Sequence, residues 1–208
     1  MIDIDIINRL NHVVDFKKWE HKYGIIDGFL GATEGYTLLL LAEKGYGEGE
    51  IVEIGSYMGR STCWLATGSK RAGREKITAI DPFTGSEEHS NDEVIKNEGS
   101  TYNSFIKNLK TMELDDYVIP IISKSEDAVK KWNKPIRLLF IDGDHTYENV
   151  KKDFAMWSPF VIKSGFICFH DIESWEGPTR FYKELKNSCK ILFERISINN
   201  LRAMEKLI

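Results

Sequence analysis

Residues 51–64 read IVEIGSYMGRSTCW, an apolar run that breaks at Gly55 and passes into a helical pattern after Gly59. Such a run suits a strand buried on both faces, and the two glycines permit a tight turn and a close backbone approach just before a helix. Glu53 is out of keeping with its neighbours, because a carboxylate near the mouth of an apolar strand is costly unless something binds it. The loop is not a phosphate cradle: it has no G-K-[ST], and its spacing is G-x-x-x-G rather than G-x-G-x-x-G. A carboxylate ahead of the loop would repel phosphate and welcome a cation.

Outward from this stretch, EIVEIG, KITAID, YVIPII, IRLLFID and GFICFH are strand candidates. Between them GRSTCWLATGSKRA, TYNSFIKNLKTM, SEDAVKKW and TYENVKKDFAMW suit helices. β-branched runs alternating with helices imply a parallel sheet covered on both faces, a doubly wound α/β fold. CKILFERIS, the turn INN and LRAMEKLI predict a closing hairpin that adds an antiparallel strand. Ahead of the first strand, apolar positions near 4, 7, 10, 14 and 19 predict an amphipathic helix over the first twenty residues. Thr33 is expected to cap a second helix, with Glu34 in its first turn and YTLLLLA as its buried side. With no repeat or linker in view, residues 1–208 read as one domain, 1–45 being a helical cap and 50–208 the α/β core.

The bulk composition restricts the partners. Forty-two per cent hydrophobic residues in a chain of 208 are ample for a continuous core. The net charge of −4 is spread without a basic stripe, so neither nucleic acid nor an anionic membrane is expected. Cys63, Cys168 and Cys189 are odd in number and widely spaced; those in STCWLA and FICF read as buried thiols rather than a disulfide framework. MIDIDIINRL carries acids where a signal peptide would carry Lys or Arg, and no apolar run reaches membrane-spanning length. A reduced, cytoplasmic location is the expectation.

Ligands of doubly wound sheets bind beyond the carboxyl ends of the strands, where the strand order reverses. The polar groups there are Glu53 to Gly55, Asp81, Ser123 to Ser125, Asp142 to His145, and the pair His170-Asp171. Asp81 ends the second strand, where such folds hold ribose hydroxyls. A ligand with a ribose, a positive centre and no phosphate matches S-adenosylmethionine.

VEIGSYMGRST, ITAIDPF, LLFIDGDHTYENVKKDF and SGFICFHD resemble, in order and spacing, the successive motifs of class I S-adenosylmethionine-dependent methyltransferases over about residues 50–175. The nearest branch is that of small-molecule O-methyltransferases of the catechol, caffeoyl-CoA and macrocin types. The resemblance implies a mostly parallel seven-stranded, Rossmann-like sheet and a small-molecule acceptor bearing a hydroxyl, and it leaves a homo-oligomer open. It also implies Glu53, Gly55, Ser56, Gly59 and Ser61 around the amino-acid part of the cofactor, Asp81 on the ribose, and Ser125 or a neighbour beside the adenine, with Asp142 close by.

Asp142 and the His170-Asp171 pair end adjacent strands, and two carboxylates with an imidazole around one point suit a divalent cation. The catechol and caffeoyl-CoA enzymes are similar here but use an Asp and an Asp-Asn pair. This chain has His170 before Asp171 and Ile172 after it, which tilts the choice from Mg²⁺ toward Mn²⁺, Fe²⁺, Co²⁺ or Zn²⁺. The alternatives are acids lining a metal-free pocket, or turn formers. His145 follows Asp142 by three residues, in the stretch where the catechol type carries a catalytic lysine, and could take a substrate proton or merely orient the loop.

Residues 82–100 read as a flap over an acceptor pocket, assisted by 173–180 and the first helix. Trp175 could lie against an acceptor ring or simply pack. His12, His21 and His89 read as surface residues. Two rival functions stand beside methyl transfer: a non-haem iron oxygenase using His145, His170 and an Asp, and a cofactor-binding module without turnover.

Overall fold

The computed structural model describes residues 4–85 and 92–208, with the side chains of 4–8 set aside. The elements run α1 (Ile4–Tyr23), α2 (Ala32–Lys44), β1 (Glu50–Ile54), α3 (Arg60–Arg71), β2 (Ile77–Asp81), α4 (Glu93–Glu98), α5 (Tyr102–Thr111) and β3 (Val118–Ile122). They continue through α6 (Ser125–Ala128), β4 (Ile136–Ile141), α7 (Tyr147–Trp157), β5 (Val161–Phe169), α8 (Glu176–Ser188), β6 (Leu192–Ile198) and β7 (Leu201–Lys206). The strands form one sheet in the order β3-β2-β1-β4-β5-β7-β6. β3 to β5 are joined through β2, β1 and β4 in parallel, whereas β7 runs antiparallel to both β5 and β6. The doubly wound sheet and its closing hairpin are therefore as the sequence predicts.

β4 shows why the sheet sits inside. All six of its residues are buried, as a strand covered by helices on both faces requires. Leu138 and Phe140 pack with Leu38, Trp64 and Phe105 on one face; Leu139 and Ile141 meet Val150, Trp157 and Phe181 on the other. Arg137 is 1% exposed in the same strand. Its guanidinium is paired with Glu75 and donates to the carbonyls of Leu41 and Ala42, so it fastens the end of α2 to the amino edge of the sheet. A buried charge needs that full set of partners.

Two local expectations are corrected. α1 forms, but Leu10 and Val14 are exposed, and the helix instead brings Tyr23 into the core with Trp19 packed beside it. Thr33 does not cap α2. Gly31 is the capping residue, and the Glu34 carboxylate reaches back to accept its N–H at 2.6 Å, the half of a capping box that needs no side chain on the cap. Of residues 173–180, expected to assist the flap, those from Glu176 on open α8, which carries Pro178 in its first turn, where a missing N–H costs nothing. Of the expected flap, residues 86–91, with His89, lie outside the described residues; 93–98 form α4, capped by Asp92. No described helix is long and apolar enough to cross a membrane.

Candidate active site

The strand order reverses between β1 and β4, and hydrogen bonding continues past their carboxyl ends. Gly55 N–H donates to Ile80 O at 3.0 Å, Asp142 N–H to Ile54 O at 2.9 Å, and His170 N–H to Ile141 O at 3.2 Å. This row brings the segments after β1, β2, β4 and β5 to one rim. Gly55 has φ +85°, and a Cβ there would lie 2.0 Å from Asp142 O, so no other residue fits against the β4 loop.

The turn after β1 is held from β2. Asp81 Oδ2 accepts the amides of Ser56 (2.7 Å) and Tyr57 (2.9 Å), and Oδ1 accepts that of Phe83 (2.5 Å). Tyr57 has φ +46° and its hydroxyl bonds Asp92, which links this turn to the start of α4. Asp81 thus fixes the loop as well as facing the cleft.

Glu53 is fully buried beneath that loop. Ser56 Oγ (2.8 Å) and Thr62 Oγ1 (2.5 Å) both donate to Oε2, while no hydrogen bond of normal geometry reaches Oε1. Burial pushes its carboxyl up to about 7, with the hydroxyls of Ser61, Thr62 and Ser56 opposing the rise. A buried, unsatisfied carboxylate oxygen beside a Gly-rich turn is suited to a cationic donor.

A cleft of about 1050 Å³ opens over this rim. Gly55, Ser56, Ser61, Asp81, Ser125, Asp142, His145 and Asp171 line it together. Glu53, Gly59 and His170 stand behind its wall. Gly59, at φ +87°, starts α3 and lies against the Phe105 ring, which gives it a structural duty.

His170 is the centre of a buried ionic cluster. Nδ1 lies 3.1 Å from Asp142 Oδ1 and 3.3 Å from Asp171 Oδ2, and Nε2 lies 3.3 Å from Glu34 Oε2. Burial alone would lower its pKa, but the three carboxylates outweigh it and raise the ring to about 12. Burial also works to raise Asp171, yet the imidazoles of His145 and His170 hold its carboxyl well below the usual range. Asp171 itself sits at φ +61°, a conformation unusual for a side-chain-bearing residue. His145 Nε2 is 2.7 Å from Asp171 Oδ2, and its ring lies on that of Trp175 at 4.8 Å.

The trio Asp142, His170 and Asp171 presents ligand atoms all within 4.8 Å of one another. With Nε2 backed by Glu34, His170 has the carboxylate–imidazole arrangement that orients a metal-binding ring. The donor set therefore fits a divalent cation, which would have to replace a proton at Nδ1.

Sequence reasoning missed three groups. Glu34, 3% exposed, was read as an ordinary first-turn acid, yet it accepts from Gly31 N, from Asn200 N in the hairpin turn (2.8 Å), and faces His170. Asn200 also reaches the cleft. Asp153 is buried on α7 in the same stripe as Val150 and Trp157; an acid at an apolar-periodic position was the available signal.

Known proteins share this fold. The family of methyltransferase domains matches residues 52–172. An uncharacterized protein of Acanthamoeba polyphaga mimivirus is 29% identical over 126 residues, covering 60% of this chain and 52% of that protein, so the match spans about half the relative's length. Among solved structures, the O-methyltransferase NovP superposes with a TM-score of 0.70 at 17% identity, over 86% of this chain and 81% of that one. The O-methyltransferase from Bacillus cereus in complex with SAH gives 0.62 at 18% identity, over 94% and 91%. By the extent of the domain match, the chain belongs to the methyltransferase-domain family.

Proposed function

We propose that the chain transfers a methyl group from S-adenosylmethionine to a hydroxyl oxygen of a small, non-phosphorylated molecule. The cofactor supplies, when bound, an electrophilic methyl on a sulfonium centre. Gly55 and Ser56 let the backbone approach it, the Glu53 carboxylate behind that turn attracts its ammonium group, and Asp81 keeps one unfilled acceptor position on Oδ1 for a ribose hydroxyl. The observation that carries the reading is the buried, unsatisfied oxygen of Glu53 under a turn that Asp81 holds open.

Toward the acceptor, Asp171 orients His145 through Nε2, and the imidazole is the group that takes the hydroxyl proton. Trp175 holds the ring flat, and the main contribution of the protein is proximity and alignment. Seven acidic side chains line the cleft against three basic ones, which favours a neutral or cationic acceptor and opposes a phosphate backbone. The convergent donors of Asp142, His170 and Asp171 favour a second reading for activation, in which a divalent cation there polarises the acceptor oxygen.

Incubation with S-adenosylmethionine and a panel of catechols, sugars and other hydroxyl compounds, followed by mass spectrometry, tests the proposal. A product heavier by one methylene on oxygen supports it. Calorimetry that detects no binding of S-adenosylmethionine would overturn it, and hydroxylated products dependent on O₂ would turn the assignment to an oxygenase.

A further inference from the structure

Arg60 carries a positive charge at the unfavourable end of a helix. It is the first residue of α3, where unpaired N–H groups already make the helix partly positive. The guanidinium is answered by the backbone that joins α1 to α2. Nη1 donates to Gly28 O at 2.6 Å and Leu30 O at 3.3 Å, Nη2 to Gly24 O at 3.2 Å, and Nε to Tyr23 O at 3.4 Å. Four carbonyls between Tyr23 and Leu30 thus converge on one side chain. The segment also rests on the stem of that side chain, since a Cβ on Gly28 would come within 3.1 Å of Arg60 Cβ.

Arg60 follows Gly59 directly, so the turn that carries Gly55 and Ser56 also carries the anchor of residues 24–30. Gly28, Phe29 and Leu30 line the cleft beside Ser56 and Tyr57. Phe29 is 77% exposed, and its ring lies 5.9 Å from that of Tyr57 on the turn. The segment is fixed at both ends, by Tyr23 in the core and by the Gly31 cap of α2. Between those ends it crosses the β1 turn as a strap. A planar fork of five N–H donors can reach carbonyls on several sides at once, which the single ammonium of a lysine cannot.

Resting on the cofactor reading above, we infer that Arg60 is a positioning residue that holds residues 24–30 closed over the β1 turn, so that bound cofactor leaves only when this strap lifts. The turn determines how the cofactor binds, and the strap determines how long it stays. Without the guanidinium the strap carbonyls turn to water, while Glu53 and Asp81 keep their places. Dissociation then quickens, whereas association, which takes place with the strap open, hardly changes.

The test measures both rate constants for S-adenosylhomocysteine on immobilised protein. Arg60→Ala is expected to raise the dissociation rate about tenfold or more and to leave association within about threefold of wild type. Arg60→Lys restores a donor but not the fork, and should fall between the two. A merely structural duty would lower the unfolding midpoint without separating the two rates. Unchanged dissociation in Arg60→Ala, or a loss of affinity carried by association alone, overturns the inference and leaves the cofactor reading standing. A second measurement needs no variant to fold. Chymotrypsin reaches the bond after Phe29 when the strap lifts, so saturating S-adenosylhomocysteine should slow that cut in the wild type about fivefold or more. An equal rate of cutting with and without the compound overturns the inference. A wild type that does not bind S-adenosylhomocysteine overturns both readings.

Discussion

His145 Nε2 and Asp171 Oδ2 stand 2.7 Å apart, across the gap between the β4 loop and the end of β5. A carboxylate at that distance orients the ring through Nε2 and supports the positive charge formed when the imidazole takes a proton. His145→Gln is expected to reduce kcat by ~10²–10⁴ on whichever acceptor is turned over, with the affinity for S-adenosylhomocysteine within about threefold of wild type. Asp171→Asn should lose rate in the same direction. Stopped assays of methyl transfer paired with calorimetry check both; a full kcat in His145→Gln would reassign the ring to structure.

Glu53 makes cofactor binding and stability depend on pH in opposite ways. Its folded pKa of about 7 lies above the reference value of 4.5, so its favourable contribution is complete below pH 4.5 and is lost as pH rises through about 7. The loss amounts to about 3 kcal/mol for this fully buried group. Glu53→Gln should therefore remove that slope, and denaturant unfolding at pH 5 and 8 should find the variant relatively more stable at the higher pH. An ammonium group at the β1 turn favours the ionised form of Glu53 beneath it, so binding of S-adenosylhomocysteine at pH 6.5 should release protons in the wild type. Calorimetry in two buffers of different ionisation enthalpy detects the release; none should be seen from this group in Glu53→Gln.

Two glycines of similar backbone separate strain from collision. Gly55 (φ +85°) would place a Cβ 2.0 Å from Asp142 O, whereas at Gly73 (φ +64°) nothing lies within 4 Å. Gly73→Ala is expected to cost about 1–2 kcal/mol, the left-handed penalty alone. Gly55→Ala should cost several kcal/mol more than that or push the β1 and β4 loops apart, with loss of cofactor binding. Equal unfolding midpoints for the two variants would contradict the close approach at Gly55.

Chelation separates the two ways of activating the acceptor. Of the trio Asp142, His170 and Asp171, only Asp142 is also expected beside the cofactor, whose other contacts are Glu53, Gly55, Ser56 and Asp81. Exhaustive chelation should accordingly leave S-adenosylhomocysteine affinity unchanged within about threefold. Activity lost on chelation and restored by Mn²⁺ or Co²⁺ assigns activation to the cation, and activity that survives leaves it with His145.

The sheet was legible because its signals are long and redundant: β4 is apolar at five of six positions and buried at all of them, and the hairpin alternates. The site was legible wherever it falls at strand ends, since topology alone brings Asp81, Asp142 and Asp171 to one rim. What escaped notice depends on tertiary reach. Glu34 looks like any acid in a first helical turn, and only the packing of α2 on α3 carries it to His170. Asp153 lies two helical turns into α7, and its burial follows from how Ser125 and Trp157 are placed around it. The turn residues Asn199 and Asn200 read as a hairpin and nothing more, yet Asn200 N–H is the donor that completes Glu34.

That last contact spans 166 positions along the chain. β7 is also made after β6 but inserted inside it, next to β5. A polypeptide emerging from its N-terminus can therefore lay down β1 to β5 and their helices while the Glu34–His170 cluster still lacks its final donor. The wall of the cleft that Asn200 forms closes only when the hairpin folds back, after most of the sheet exists. Such a long-range closure is slow compared with the local steps before it. Order of synthesis thus becomes order of assembly, with the cleft wall at Asn200 in place only once the hairpin has folded back.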